Sequence, residues 1–301
     1  MRDREKLLRV INSLNINEIY NDEIIRKSIY NNVWFTERNI SDAVAEVKRL
    51  TEMGSMSGIA ALFPENKRSP KEVAVVLSGD TPLENFRDFL YILISGNCFA
   101  GKISHDDPFL LKAYADALLA AMPELKPDVC FVDHPIAGFD AIILNDNENN
   151  SALKEYFSNI PHLFRHRSLG LYLLKGDEKQ FDLEELAYKC LINFGRGEHS
   201  VRNIFVPKNY DFQLLLSAFA KWDDVKNHAR YFNNYEYRKS ICLLGKTQHF
   251  DTGFMILRQS DEMNPNVSEI FYHEYESLSE MLTIFQKKVD DYDIVSFLQN
   301  L

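Results

Sequence analysis

From Glu72 onward the chain alternates short apolar runs with amphipathic ones: EVAVVLSG, TPLENFRDFLYILIS, NCFAGKIS, DPFLLKAYADALLAAM, DVCFVDH, FDAIILND and ALKEYFSNI follow one another with turn residues between them. The short runs are almost continuously apolar rather than alternating, as expected of strands covered by helices on both faces of a parallel sheet. This rhythm points to a doubly wound, nucleotide-binding α/β architecture. A second series starts near residue 168: strand LGLYLLKG, helix DLEELAYKCLINFG, a glycine turn, strand RNIFVP, helix DFQLLLSAFAKW, strands SICLLGK, GFMILRQ and EIFYHEY, and an amphipathic SLSEMLTIFQKKV. Residues 2 to about 63 are helical in pattern, with Ile40, Val44 and Val47 keeping a three-to-four spacing in the third segment, NISDAVAEVKRLTEMGSMSGIAALF. No Pro/Gly/Ser-rich linker separates the two series. The expectation is therefore a helical preface plus Rossmann-type domain over 1–167, packed with a second α/β domain over 168–301.

At 301 residues, 46% hydrophobic and 26% charged, the chain can bury a sizeable core and has too much apolar content for disorder. A net charge of −10 with no run of Lys and Arg offers little to a phosphate backbone, so nucleic acid is not expected as a partner. The N-terminal MRDREKLLRVINSLNINEIY is a charged amphipathic helix in pattern, unlike a signal peptide, and the apolar run FLYILIS is too short to span a bilayer. These features read as a cytoplasmic protein. Cys98, Cys130, Cys190 and Cys242 form no C-x-x-C pair or Cys/His cluster, and their apolar flanks predict buried packing thiols.

The element order, together with particular stretches, resembles the aldehyde dehydrogenase superfamily, and within it the LuxC-like acyl-CoA reductase branch. The stretches are NNVWFTERNI (31–40), VVLSGDTPLENFRDFLYILISGN (75–97), GKIS (101–104), FDAIILND (139–146), EYFSNIPHLFRHRS (155–168), NFGRGEHSVRNIFVPKNYDF (193–212), YFNNYEYRKSICLL (231–244) and DTGFMILRQ (251–259). The resemblance implies NADPH-dependent reduction of a fatty acyl-CoA to an aldehyde through a cysteine thioester. It also implies roles for residues. Gly96 marks the turn ending a helix, after which an inner strand delivers Lys102, with Ser104 beside it, to the adenosine ribose or its 2′-phosphate. Gly79-Asp80 stands in the loop that lines the cofactor and acyl sites.

At three chemical positions the chain departs from the pattern. Asp80 replaces the branch's asparagine; an ionised aspartate accepts hydrogen bonds but cannot donate one to a developing oxyanion. Asp146 and Asn147 fall where a Gly-Ser pair approaches the cofactor phosphates. At an effective dielectric of about 20, two unit charges ~4 Å apart repel by about 4 kcal/mol. The third departure lies in FGRGEHSVRNIFVP (194–207). Phe194, Gly195, Gly197 and Val206-Pro207 fit the turn that presents the nucleophile, yet the cysteine position is Glu198. A carboxylate there would give a mixed anhydride, a poor store for hydride transfer. His199 and Ser200 follow, but neighbours in an extended segment point to opposite faces. Cys190, about two helical turns upstream on an apolar stripe, reads as core.

Two further clusters stand out. HLFRHRS, with His162, Arg165, His166 and Arg167, reads as a phosphate-binding patch or a solvated basic turn; ARYFNNYEYRKS resembles the branch's Asn-Asn-Tyr segment, which implies an acyl-pocket wall or the domain interface, and reads equally as core packing. The resemblance also implies homodimers formed through an edge hairpin, for which the strands around 253–275 are placed. Two readings remain open: a degenerate, non-catalytic acyl-CoA reductase homologue that keeps the fold and a partner surface or a ligand cleft for a nucleotide or acyl-CoA, or a working acyl-CoA or aldehyde oxidoreductase built around Glu198, His199 and Lys102.

Overall fold

The computed structural model describes residues 3–63, 69–133, 138–146, 155–166, 170–197, 200–279, 281 and 294–301. The chain forms two compact units, Met1–Arg167 with Tyr292–Leu301, and Ser168–Asp291. The last residues thus return to the first unit, whereas the sequence assigns everything after 168 to the second.

In the first unit, β1 (Glu72–Val76), β2 (Cys98–Lys102), β3 (Val129–Val132), β4 (Ala141–Asp146) and β5 (His162–His166) make a parallel sheet of order β3-β2-β1-β4-β5. The continuous apolar runs are explained by burial on both faces. Val73, Val75, Phe99, Ala141 and Ile143 enter one large core, while Ala74, Ile142 and Leu144 pack on the other face with Phe139, Phe157 and Phe164. The chain builds β2 and β3 to one side of β1 and then crosses to its other side for β4 and β5. The strand order therefore reverses between β1 and β4, and the carboxyl ends there flank the crevice where such sheets bind ligands.

Helices α1 (Arg4–Ser13), α2 (Ile16–Ile19), α3 (Asp22–Asn31), α4 (Glu37–Thr51) and α5 (Met53–Leu62) precede the sheet. A Thr36/Asn39 capping box starts α4, and its buried Ile40, Val44 and Val47 match the spacing read from sequence. The run expected to continue to residue 63 breaks at Glu52, whose extended backbone (ψ 140°) starts α5 in a new direction. The carbonyls at the end of α5 are taken by distant side chains: Arg4 Nη1 donates to Phe63 O at 2.6 Å and Gln299 Nε2 to Leu62 O at 2.6 Å. Between the strands lie α6 (Phe86–Ile94) and α7 (Leu110–Ala121).

The second unit holds β6 (Leu171–Leu173), α8 (Gln180–Leu191), β7 (Asn203–Pro207), α9 (Gln213–Ala220), α10 (Ala229–Leu244), β8 (Phe250–Asp251), β9 (Ile256–Gln259) and β10 (Glu269–Tyr275). Its sheet runs β6-β7-β10-β9-β8, parallel except for β8. SICLLGK, expected as a strand, is instead the end of α10. Its Cys242 continues the buried face of Tyr231 and Tyr235 at helical spacing, and the apolar residues around it, Ile241, Leu243 and Leu244, are exposed. The amphipathic segment expected from 277 lies mostly outside the described residues. In the first unit, α11 (Ile294–Gln299) adds Ile294 and Leu298 to the large core.

Candidate functional site

The crevice in the first unit is built from the carboxyl ends of β2, β1 and β4, which are adjacent in the sheet. Lys102 ends β2 in register with Val76 of β1 and Val132 of β3, and its carbonyl accepts from Leu77 N at 3.1 Å. It is half-buried, and among the described residues no hydrogen bond or ion pair engages its ammonium. Many other lysines are committed, as in Lys71–Asp140, Lys112–Asp116 and Lys208–Glu276. Ser104 Oγ accepts from Asp106 N at 3.2 Å, which leaves its hydroxyl proton available to a ligand. Gly79 follows β1 so closely against the next loop that a Cβ would lie 2.4 Å from Asp106 Cβ and 2.9 Å from the Asp107 nitrogen, so no side chain fits there. The neighbouring Asp80 is half-buried, and its amide donates to Ser78 Oγ at 3.2 Å. Asp146 closes β4 opposite His166; its side chain is outside the described residues, as is Asn147.

Gly96 falls elsewhere. It ends α6 with φ 91° and donates its amide to Leu93 O at 3.1 Å, immediately before β2 begins. It therefore sits at the amino end of the strand whose carboxyl end carries Lys102, ~15 Å along it. Its glycine is required by the left-handed turn.

Asp107 is buried, and its carboxylate accepts from Leu110 N at 3.0 Å and Phe109 N at 3.4 Å, capping α7. Burial, only partly offset by these amides and by that of Leu83, raises its pKa above the ordinary aspartate value.

In the second unit, Glu198 and His199 lie outside the described residues, and the description is confined to the flanking segments. Phe194 (φ 57°) and Gly195 (φ 70°) both adopt left-handed backbone, and the buried Phe194 ring packs against His228 at 4.4 Å and Tyr231 at 5.4 Å between centroids. Beyond the turn, Val201 N donates to Lys189 O, and the amides of Arg202 and Asn203 both donate to Gly170 O. At Gly170 (φ 58°) a Cβ would lie 2.2 Å from Ser200 O, so glycine is obligatory. Ser200 is buried, 4% exposed.

Cys190 is 2% exposed, and burial pushes its thiol well above the usual range, away from the thiolate that a nucleophile needs. A narrow cleft with room for about one water lies beside it, lined by Gly195, Arg202, Tyr231 and Glu269 among others. Burial also raises the Tyr231 hydroxyl.

Sequence reading missed Glu269. It is 6% exposed at the start of β10 and is held by Arg258 (Nε to Oε1, 3.3 Å), Arg238 (Nε to Oε2, 3.8 Å) and Asn266 Nδ2 (2.9 Å). The signal was a lone acid heading the apolar run EIFY, since a buried carboxylate requires such partners. A second missed group joins α10 to β8: Tyr235 donates to Asp251 at 2.6 Å, and Lys239 pairs with Asp251 at 2.9 Å. Burial, with Asp251, raises the Tyr235 hydroxyl to about 12, so it is a structural donor here.

Within HLFRHRS, His162–His166 form strand β5 rather than a turn, and Arg165 is forked onto Asp88, which is fully buried, so that guanidinium is not open to a phosphate. Arg167 is outside the described residues. ARYFNNYEYRKS lies in α10 with Tyr231 and Tyr235 in the core, although Tyr237 is 59% exposed. The expectation of buried thiols holds for Cys190 and Cys242, while Cys130 is exposed and Cys98 is half-buried with Sγ 3.3 Å from Asp128 Oδ1.

Comparison with solved structures covers nearly the whole chain. The NAD+ complex of an aldehyde dehydrogenase from Bacillus cereus superposes with a TM-score of 0.64 at 12% identity over 94% of this chain and 69% of that one. Betaine aldehyde dehydrogenase from Staphylococcus aureus, with NAD+ and a BME-modified cysteine, gives 0.66 at 10% identity over 93% and 69%. The P. syringae indole-3-acetaldehyde dehydrogenase in complex with NAD+ and IAA gives 0.63 at 11% over 94% and 70%. The fold is that of the aldehyde dehydrogenases. No protein-family model and no curated protein matches the chain. Among the described residues there is no cluster that could hold a metal ion, and no helix is long and apolar enough to cross a membrane.

Proposed function

We propose that this chain is an acyl-CoA reductase-like protein on the aldehyde dehydrogenase fold that retains a dinucleotide crevice and has lost thioester catalysis. The observation that carries the reading is the fate of the thiols. The turn bears Glu198 where the resemblance expects cysteine, and the nearest thiol along the chain, Cys190, is buried with its pKa raised. Cys242 is likewise buried, and Cys98 and Cys130 belong to strands of the other unit. Ser200, whose amide turns back onto Gly197 O at 3.0 Å, is buried and so is poorly placed as a substitute nucleophile.

Residues for the cofactor are present on the adenosine side. The ammonium of Lys102, uncommitted among the described residues, and the hydroxyl proton of Ser104 suit a ribose hydroxyl or a 2′-phosphate, which favours NADPH, and Gly79 keeps the adjoining loop free of a side chain. When bound, that cofactor supplies a hydride. Position 146, at the carboxyl end of β4, carries an acid where the resemblance expects a glycine-serine pair before the phosphates, which counts against tight binding. Small-molecule binding, rather than turnover, is the retained property, with acyl-CoA the second ligand class and a cytoplasmic homodimer the setting.

Titrating purified protein with NADPH by thermal shift, and then following nicotinamide absorbance with a panel of acyl-CoAs, tests the reading. Binding without turnover is expected; steady turnover would refute the loss of catalysis, and no dinucleotide binding would refute the retained crevice.

A further inference from the structure

The loop that leaves β1 toward the crevice, Ser78-Gly79-Asp80, closes on itself through Asp80 N to Ser78 Oγ and is also held from outside by side chains of other elements. Ser78 N donates to Asn85 Oδ1 at 2.7 Å. Asn85 Nδ2 donates to Asp88 Oδ2 at 2.9 Å, and Arg165 closes the chain with Nη1 to Oδ2 at 2.9 Å and Nη2 to Oδ1 at 2.5 Å. All three side chains lie below solvent: Asn85 is 3% exposed, Asp88 0%, and the Arg165 side chain 13%. From the other side, Asn32 Nδ2 donates to Gly79 O at 2.8 Å.

Each link fixes the next. An ionised carboxylate only accepts, so Asp88 compels the amide of Asn85 to turn its NH2 inward, which leaves the oxygen facing Ser78 N. Asp88 in turn is tolerable without water only while a bidentate cation neutralises it. That cation comes from β5, two places from β1 in the sheet with β4 between them. The relay therefore ties the far wall of the crevice to the loop on its near wall. An ion pair serving packing alone would not need a polar amide between itself and a backbone N–H.

We infer that Arg165 is a positioning residue: through Asp88 and Asn85 it sets Ser78-Gly79-Asp80 in the conformation that receives a nucleotide at the β1/β4 crevice. The ligand half of this statement rests on the function proposed above; the loop half does not.

The test uses the full chain and two readouts, single-residue amide exchange at Ser78 to Asp80 and NADPH affinity. Removing Arg165 alone strands a buried charge and endangers folding, so the informative variant is Arg165→Met combined with Asp88→Leu. An apolar pair of similar volume keeps such sites stable. In this variant, exchange at Ser78 is expected to rise at least about tenfold and NADPH to bind roughly tenfold more weakly, with β4 amides unchanged. Asn85→Ala, which leaves the ion pair intact, is expected to give the same loop signature, and Arg165→Lys an intermediate one because lysine cannot fork. Unchanged protection at Ser78 in the double variant, or in Asn85→Ala should the double variant not fold, overturns the inference. If the wild type binds no NADPH, the proposed cofactor role falls, and the exchange result alone decides whether the relay sets the loop.

Discussion

Two glycine-containing segments, one in each unit, occupy the positions where the chemistry of this fold is expected, and they have kept different things. The Ser78–Asp80 loop is braced by buried polar side chains, and close by on the neighbouring strand lies an ammonium with no hydrogen-bond or ion-pair partner among the described residues. The turn after α8 is held by backbone geometry and packing: the Gly170 carbonyl takes two amides, and Phe194 is wedged against His228 and Tyr231. Those restraints join residues on either side of positions 198 and 199, which lie outside the described residues. Flanks held in this way carry no information about the chemistry of residue 198. The first loop is different, because the groups that hold it lie at the edge of the crevice they shape.

The contrast is sharpest at Gly170. Gly170→Ala places a methyl 2.2 Å from Ser200 O on backbone that already disfavours a side chain, and a loss of about 3 kcal/mol or more is expected in urea unfolding. Glu198→Ala, by contrast, is expected to leave urea stability within about 1 kcal/mol, since the described restraints bypass that residue; a loss comparable to that of Gly170→Ala would mean the carboxylate itself supports the turn. For the first unit, Lys102→Met is expected to weaken NADPH roughly tenfold and NADH less, because a charge-assisted bond to a phosphate is worth about 1.5–3 kcal/mol. Equal losses for both cofactors would place Lys102 away from the 2′-phosphate.

The smallest effect concerns pH. Burial raises the Asp107 pKa, so the folded state favours the protonated carboxyl. Its contribution to stability is full below the unfolded value near pH 4 and is lost as pH rises through the raised folded value. Asp107→Asn is expected to flatten the melting temperature between pH 4 and 7, with a gain of about 2 °C at most at pH 7. A mutant profile parallel to the wild type would contradict the assignment.

What the sequence revealed was what local pattern can carry. The buried triplets Val73–Val75 and Ile142–Leu144 read directly as two-sided strands, and Ile40, Val44 and Val47 as one helix face. SICLLGK misled because an apolar run at the end of a helix looks like a strand when the buried partners that set its period, Tyr231 and Tyr235, are a turn or more upstream. HLFRHRS misled because Asp88, which turns Arg165 inward, is 77 residues away along the chain. The return of α11 to the first core is likewise long-range. At the candidate site, the identity of residue 198 and the placement of Lys102 were legible. The burial of Cys190 was legible as a stripe, and the partners of Glu269 and the brace behind Ser78 were not, since no local spacing encodes which polar groups meet inside a fold.

The most direct test of lost thioester chemistry is intact-mass analysis with peptide mapping after incubation with a long-chain acyl-CoA. The account predicts no acyl adduct on the wild type and an adduct at position 198 in Glu198→Cys. An acylated wild-type protein carrying the group on Cys190 or Ser200 would contradict it.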